Sequence, residues 1–166
     1  MATQENLQAA FAGESQANRM YLAFAAKAEA DGRPQIAKLF RAAAAAETVH
    51  AHAHLRVMKG VGDTKANLQA AIAGETHEFE HMYPEFIQEA EAEGNRPAVV
   101  SFRNAMTVEK IHADLYTQAA QSLAGGQDLP SASIHVCDVC GNTVLGAVPD
   151  KCPVCGAPAT KFREVA

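Results

Sequence analysis

The amino-acid sequence predicts an all-α four-helix bundle followed by a small C-terminal metal-binding domain. Three observations carry that prediction. Four long stretches rich in the strong helix formers Ala, Glu, Gln and Met are separated by breaks that contain Gly or Pro. The first two stretches are echoed, in several short runs, in the second two. All four cysteines of the 166-residue chain lie after position 136, in two Cys-x-x-Cys pairs.

The first helix is expected from about Gln4 to Ala30, stopping at Asp31-Gly32. The second opens at Pro34, a favoured first-turn residue, and runs to about Lys59 before Gly60-Val61-Gly62. Asp63 or Thr64 caps the third, which reaches Glu93 and stops at Gly94-Asn95. Pro97 opens the fourth, which continues to Leu123 before Gly125-Gly126. Pro84 falls inside the third helix, where its missing N–H predicts a kink or bulge. The expected organisation is a bundle over 1–126, a linker over 127–134 and a cysteine module over 135–166. That module is too small to be held by hydrophobic burial alone and needs a staple.

The repeat defines the candidate chemistry. Ala-Ala-Phe-Ala-Gly-Glu at 9–14 recurs as Ala-Ala-Ile-Ala-Gly-Glu at 70–75, and Met20-Tyr21 recurs as Met82-Tyr83. Glu14 precedes Glu47-x-x-His50, and Glu75 precedes Glu109-x-x-His112. Residues three apart share a helix face, so each hairpin offers two carboxylates and an imidazole inward, and two such hairpins make a di-metal carboxylate site. Oxygen and imidazole donors without thiolate suit iron or manganese over structural zinc. The repeat is imperfect at one telling place: three residues after Glu14 stands Ala17, whereas three after Glu75 stands Glu78, a fifth carboxylate. Its expected role is an asymmetric ligand or a proton carrier. Tyr21 and Tyr83, two turns beyond Glu14 and Glu75, are expected to orient ligand carboxylates. His81, His52 and His54 are set aside as surface or packing residues.

No apolar run approaches the roughly 20 residues needed to span a bilayer. The opening Met-Ala-Thr-Gln-Glu-Asn-Leu-Gln has neither a basic nor an apolar leader region, so a cytoplasmic protein is expected. A net charge of −5 argues against nucleic acid as a partner. In that reducing location Cys137-x-x-Cys140-Gly and Cys152-Pro-x-Cys155-Gly point to a tetrahedral four-thiolate metal site, with iron and zinc both admissible, and away from disulfides.

The runs Ala-Gly-Glu-Ser-Gln-Ala-Asn-Arg-Met-Tyr, Ala-Glu-Thr-Val-His, Ala-Gly-Glu-x-x-Glu-x-x-x-Met-Tyr-Pro-Glu-Phe and Glu-Lys-Ile-His-Ala-Asp-Leu-Tyr, in that order, resemble the rubrerythrin family over nearly the whole chain. The resemblance implies a ferritin-like bundle with a rubredoxin-like tail, and reduction of hydrogen peroxide to water in oxidative stress defence. It implies that Glu14, Glu47, His50, Glu75, Glu78, Glu109 and His112 hold two irons, with Glu78 exchanging with His50 as the iron changes oxidation state. It also implies that Cys137, Cys140, Cys152 and Cys155 hold one iron. The chain departs from rubredoxin-like modules at Asn142, where an aromatic is usual.

A peroxidase of this kind needs an electron donor, either a rubredoxin or a reductase. Leu123 lies fourteen residues past Glu109, about 21 Å along a helix, so the chain's own tail reaches the irons only if the linker folds it back. A head-to-tail homodimer is therefore expected, with exchange of hairpins between subunits as an alternative topology. Two other readings remain open at this point. One is ferroxidase or iron-storage activity with a structural zinc tail; the other is a manganese catalase-like disproportionation, which leaves the cysteines unexplained.

Overall fold

The computed structural model describes residues 2–165. It is helical through the first three quarters of the chain and ends in a small sheet. Helices α1 (Ala2–Ala30), α2 (Pro34–Val57), α3 (Thr64–His77), α4 (Tyr83–Ala92) and α5 (Arg96–Ala124) precede strands β1 (Ile134–Cys137), β2 (Thr143–Leu145) and β3 (Phe162–Glu164). The expected third helix is interrupted by a π-turn over Glu78–Met82, two residues before Pro84. The chain divides into two compact units, Met1–Gly62 and Asp63–Ala166.

The first unit is the α1–α2 hairpin. Its seam is lined by alanine: Ala25, Ala28, Ala37, Ala44 and Ala51 are all buried. Such small side chains let the two backbones approach closely, and Asn18 uses the approach to tie them together. Its Nδ2 donates to the Ala44 carbonyl at 2.6 Å and to Thr48 Oγ1 at 2.9 Å. Several large apolar side chains of this hairpin face outward, Leu39 at 70% exposure and Val49 at 64% among them.

The second unit begins with Asp63, whose side chain accepts from the Ala66 N–H at 2.8 Å and caps α3. That cap is worth about 1 kcal/mol. Asn95 caps α5 in the same way, through the Ala98 N–H. The two interhelical turns are closed alike: Gly32 and Gly94 take φ of 68° and 70°, where any side chain is strained, and the following N–H groups of Arg33 and Asn95 reach back to the carbonyls of Ala28 and Ala90.

The repeat is reproduced in three dimensions. Tyr21, Phe24 and Phe40 form an aromatic trio with centroid separations of 6.3, 6.2 and 5.6 Å. Tyr83, Phe86 and Phe102 form its counterpart at 6.3, 6.2 and 5.6 Å. The ion pair Arg41–Glu29 likewise recurs as Arg103–Glu91.

In the tail, β1 is the centre of an antiparallel sheet ordered β2-β1-β3, with His135 opposite Val144 and Glu164. The chain turns after α5 at Gly125-Gly126 and returns along the helix. A Cβ on Gly141 would lie 3.7 Å from Val108 Cγ1 of α5, and Val108 is 2% exposed. The linker therefore does fold the chain's own tail back onto α5, the condition that α5's length made necessary.

Candidate metal centres

Each repeat gathers its three predicted donors. In the first unit Glu14, Glu47 and His50 bring one donor atom each within 4.8 Å of one another, and in the second unit Glu75, Glu109 and His112 do the same. The Glu-x-x-His spacing achieves this on one helix turn. His50 Nδ1 lies 2.9 Å from Glu47 Oε2, and His112 Nδ1 lies 2.8 Å from Glu109 Oε2 and 3.6 Å from Glu75 Oε1. In both clusters Nδ1 is thus the nitrogen turned toward the carboxylates.

The two clusters differ electrostatically. Hydrogen bonds from His50 and with Glu14 hold the Glu47 carboxyl below its usual range. Burial, reinforced by the charge of Glu109, pushes Glu75 up. Glu78 is pushed up as well, by burial and then by the charge of Glu75. Tyr83 is raised by burial first and then by the charges of Glu109, Glu78 and Glu75, and its ring stands in the aromatic trio. Tyr21 takes the matching place in the first repeat, against Phe24 and Phe40. His52 and His54 join neither cluster, and His81 stacks near His77 with centroids 5.7 Å apart.

The four cysteines form the third cluster, their Sγ atoms within 4.8 Å of one another. Cys137 and Cys155 are separated by 3.8 Å and Cys140 and Cys152 by 3.6 Å. A disulfide requires about 2.05 Å. Four sulfurs placed about 2.3 Å from a common centre at tetrahedral angles are about 3.8 Å apart, so the thiols are spaced for one metal ion. Burial pushes the Cys140 thiol up and also opposes ionisation of Cys152, yet N–H groups of Cys155 and Val154 hold Cys152 down at about 7. Asn142, 1% exposed, adds a side-chain contact from Nδ2 to Cys152 Sγ at 3.6 Å.

One functional contact was not foreseen from the sequence. Thr143 Oγ1, on β2 of the tail, lies 3.0 Å from His112 Nε2, the nitrogen opposite the carboxylates. The hydroxyl also lies 3.2 Å from the Gly141 carbonyl, next to Cys140 in sequence. A single threonine therefore joins the second carboxylate cluster to the loop that carries a thiolate. No signal in the sequence distinguishes Thr143 from an ordinary strand residue.

Residues 5–120 match the family model for rubrerythrin, and residues 135–163 match that for the rubrerythrin rubredoxin-like domain. The chain belongs to the rubrerythrin family. It is 35% identical to rubrerythrin-2 of Clostridium acetobutylicum over 97% of this chain and 95% of that one. It is 37% identical to nigerythrin of Nitratidesulfovibrio vulgaris, over 97% and 85%. Among solved structures it resembles the partially reduced and the all-ferrous states of nigerythrin, each with a TM-score of 0.59 at 35% identity, covering 98% of this chain and 86% of the other. For a rubrerythrin the donor sets fit their metals: carboxylate and imidazole for two irons, four thiolates for one iron, with zinc admissible at the thiolates. Glu14, Glu47 and His50 in the first unit and Glu75, Glu109 and His112 in the second would each hold iron, and Cys137, Cys140, Cys152 and Cys155 the thiolate-bound ion. Family membership places the protein among di-iron oxidoreductases with a rubredoxin-like domain.

Proposed function

We propose that this rubrerythrin is a peroxidase that reduces hydrogen peroxide to two waters, consuming two electrons and two protons, as an oxidative stress defence in the cytoplasm. The observation that carries this reading is the Thr143 bridge, which sets the four-thiolate tail against His112 of a carboxylate cluster. An iron-storage protein or a catalase has no use for such an electron source. When bound, the carboxylate-held irons supply the two-electron reduction and the thiolate-held iron supplies electrons singly.

The chain's own residues supply the rest. Glu78, raised by burial and by its neighbour Glu75, retains a proton on its carboxyl at a pH where an exposed glutamate has lost it. That proton is available to a departing oxygen. Tyr83 holds its phenolic proton firmly for the same reasons and orients the carboxylates beside it. Tyr21, at the matching place of the first repeat, orients Glu14. The Thr143 hydroxyl holds the His112 ring by Nε2, so that Nδ1 stays aimed at Glu109 and Glu75.

Two irons side by side require the two three-residue clusters to be pooled, from one chain or from two copies exchanging hairpins about the connection 58–63. The outward apolar side chains of the α1–α2 hairpin support a homo-oligomer, head-to-tail or hairpin-exchanged, in which they are covered. A rubredoxin or a reductase would feed the tail. The test is anaerobic turnover with reduced rubredoxin as donor. Iron-loaded protein should consume one peroxide per two donor electrons without releasing oxygen, and Glu75→Ala/Glu109→Ala should abolish this. Oxygen release, or turnover that survives the double substitution, refutes the reading.

A further inference from the structure

The two repeats differ in length by one residue, at one place. Glu14 to Glu75 is an offset of 61, whereas Tyr21 to Tyr83, Phe24 to Phe86, Glu47 to Glu109 and His50 to His112 are all offsets of 62. Five residues separate Glu14 from Met20, and six separate Glu75 from Met82. The extra residue lies in the stretch that carries Glu78.

The structure absorbs it as the π-turn over Glu78–Met82, closed by the Tyr83 N–H donating to the Glu78 carbonyl five residues back. The matching part of α1 is uninterrupted α-helix. On an α-helix one additional residue turns everything beyond it by about 100°. The aromatic trio of the second repeat has nevertheless kept the spacing of the first, and Glu75 still meets Glu109 and His112 as Glu14 meets Glu47 and His50. The π-turn therefore restores the phase. Pro84 follows two residues after the turn, with no N–H to give to the Glu80 carbonyl, so the ladder is thinned again at the same spot.

An insertion compensated so fully leaves the fold no better packed. What it changes is the backbone that carries Glu78, a carboxylate whose place in the first repeat is taken by Ala17. We propose that the inserted turn is a positioning device for Glu78: it loosens the helix just beyond this residue, so that its carboxylate shifts relative to Glu75 while Glu75 and the Tyr83 trio stay in phase. π-Turns cluster at functional sites for this reason. The first repeat, with Ala17 on unbroken helix, has no such element. The inference rests on the proposed di-iron site and deepens it.

The test uses the iron-loaded full chain and hydrogen exchange. Amides of residues 79–83 should exchange about tenfold faster than those of 18–21, the effect of roughly one lost backbone hydrogen bond. Deleting His81 should convert the segment to continuous helix, abolish that difference and leave iron content unchanged. The difference in circular dichroism between oxidised and reduced protein supplies a second readout. Glu78→Gln should remove part of it, and the His81 deletion should remove the same part. Wild-type exchange or a wild-type difference spectrum in the deletion variant overturns the proposal, as does a spectrum unaltered by Glu78→Gln. Should the deletion variant not fold, inserting one alanine between Arg19 and Met20 is the reciprocal experiment: exchange at 18–21 should rise about tenfold, and no rise overturns the proposal. No measurement here involves peroxide, so loss of the peroxidase reading would leave the outcome intact.

Discussion

Replacing Asn142 by leucine should lower the reduction potential of a thiolate-bound iron in the tail. Asn142 is 1% exposed and points Nδ2 at Cys152 Sγ from 3.6 Å, while its backbone carbonyl accepts from the Cys137 N–H at 2.9 Å. The backbone contact survives the substitution; the side-chain donor does not. Leucine keeps the branching at Cγ and is the larger side chain, so no cavity opens. Cys152 already stands at about 7 because the Cys155 and Val154 N–H groups, with the neighbouring thiols, overcome its burial, which makes Asn142 one of three N–H donors on this sulfur. A hydrogen bond to a charged acceptor contributes about 1.5–3 kcal/mol, and at 3.6 Å the lower end applies. The reduced site carries one more negative charge, so it gains more from the donor than the oxidised site does. Taking the difference as about 1 kcal/mol, the one-electron potential falls by about 40 mV. Spectroelectrochemical titration of the visible absorption reads this directly. A potential unchanged within about 10 mV, or one that rises, refutes the assignment of Asn142 as a thiolate donor.

Other outcomes follow from the same contacts. Asn18→Ala removes two hydrogen bonds across the alanine seam and should destabilise the protein by about 2 kcal/mol in urea unfolding, whereas a surface change such as Gln16→Ala should cost under about 0.5 kcal/mol. Thr143→Val should slow electron passage from tail to bundle, read as the rate of tail re-oxidation by peroxide, with metal content unchanged. In metal-free protein Glu75 is raised above its ordinary value of 4.5, by burial and then by Glu109. Its contribution to stability is therefore full below that value and is lost as pH rises through the raised one. The thermal midpoint of metal-free wild type should fall relative to Glu75→Gln over that rise. Iron affinity should run the opposite way, weakening as pH falls, because the metal needs the carboxylate ionised.

Much of this protein was legible in its sequence, because the repeat states the ligand set twice. Glu47-x-x-His50 and Glu109-x-x-His112 needed only the helix period to be placed on one face, and Gly32 and Gly94 marked their turns by the positive φ they adopt. Pro84 announced an irregularity, and the structure resolved it as a π-turn. The return of the tail was not legible. It depends on Gly125-Gly126 reversing the chain and on Val108 meeting the Gly141 loop, a contact between residues over thirty apart with no periodic signature. Thr143 and Asn142 were obscure for the same reason: their importance comes from what tertiary packing sets beside them. Asn142 looked like a missing aromatic until its amide was found against a sulfur.

The most direct test is rapid mixing of fully reduced, iron-loaded protein with excess hydrogen peroxide, so that the two carboxylate-held irons cannot supply all the electrons and the tail must, followed by visible absorbance. Oxidised four-thiolate iron is strongly coloured, so its appearance reports electrons leaving the tail. Colour should rise with peroxide consumption, with no dissolved oxygen released and no colour in Glu75→Ala/Glu109→Ala. Peroxide consumed with the tail still reduced, or oxygen released at one per two peroxides, would contradict the proposed activity.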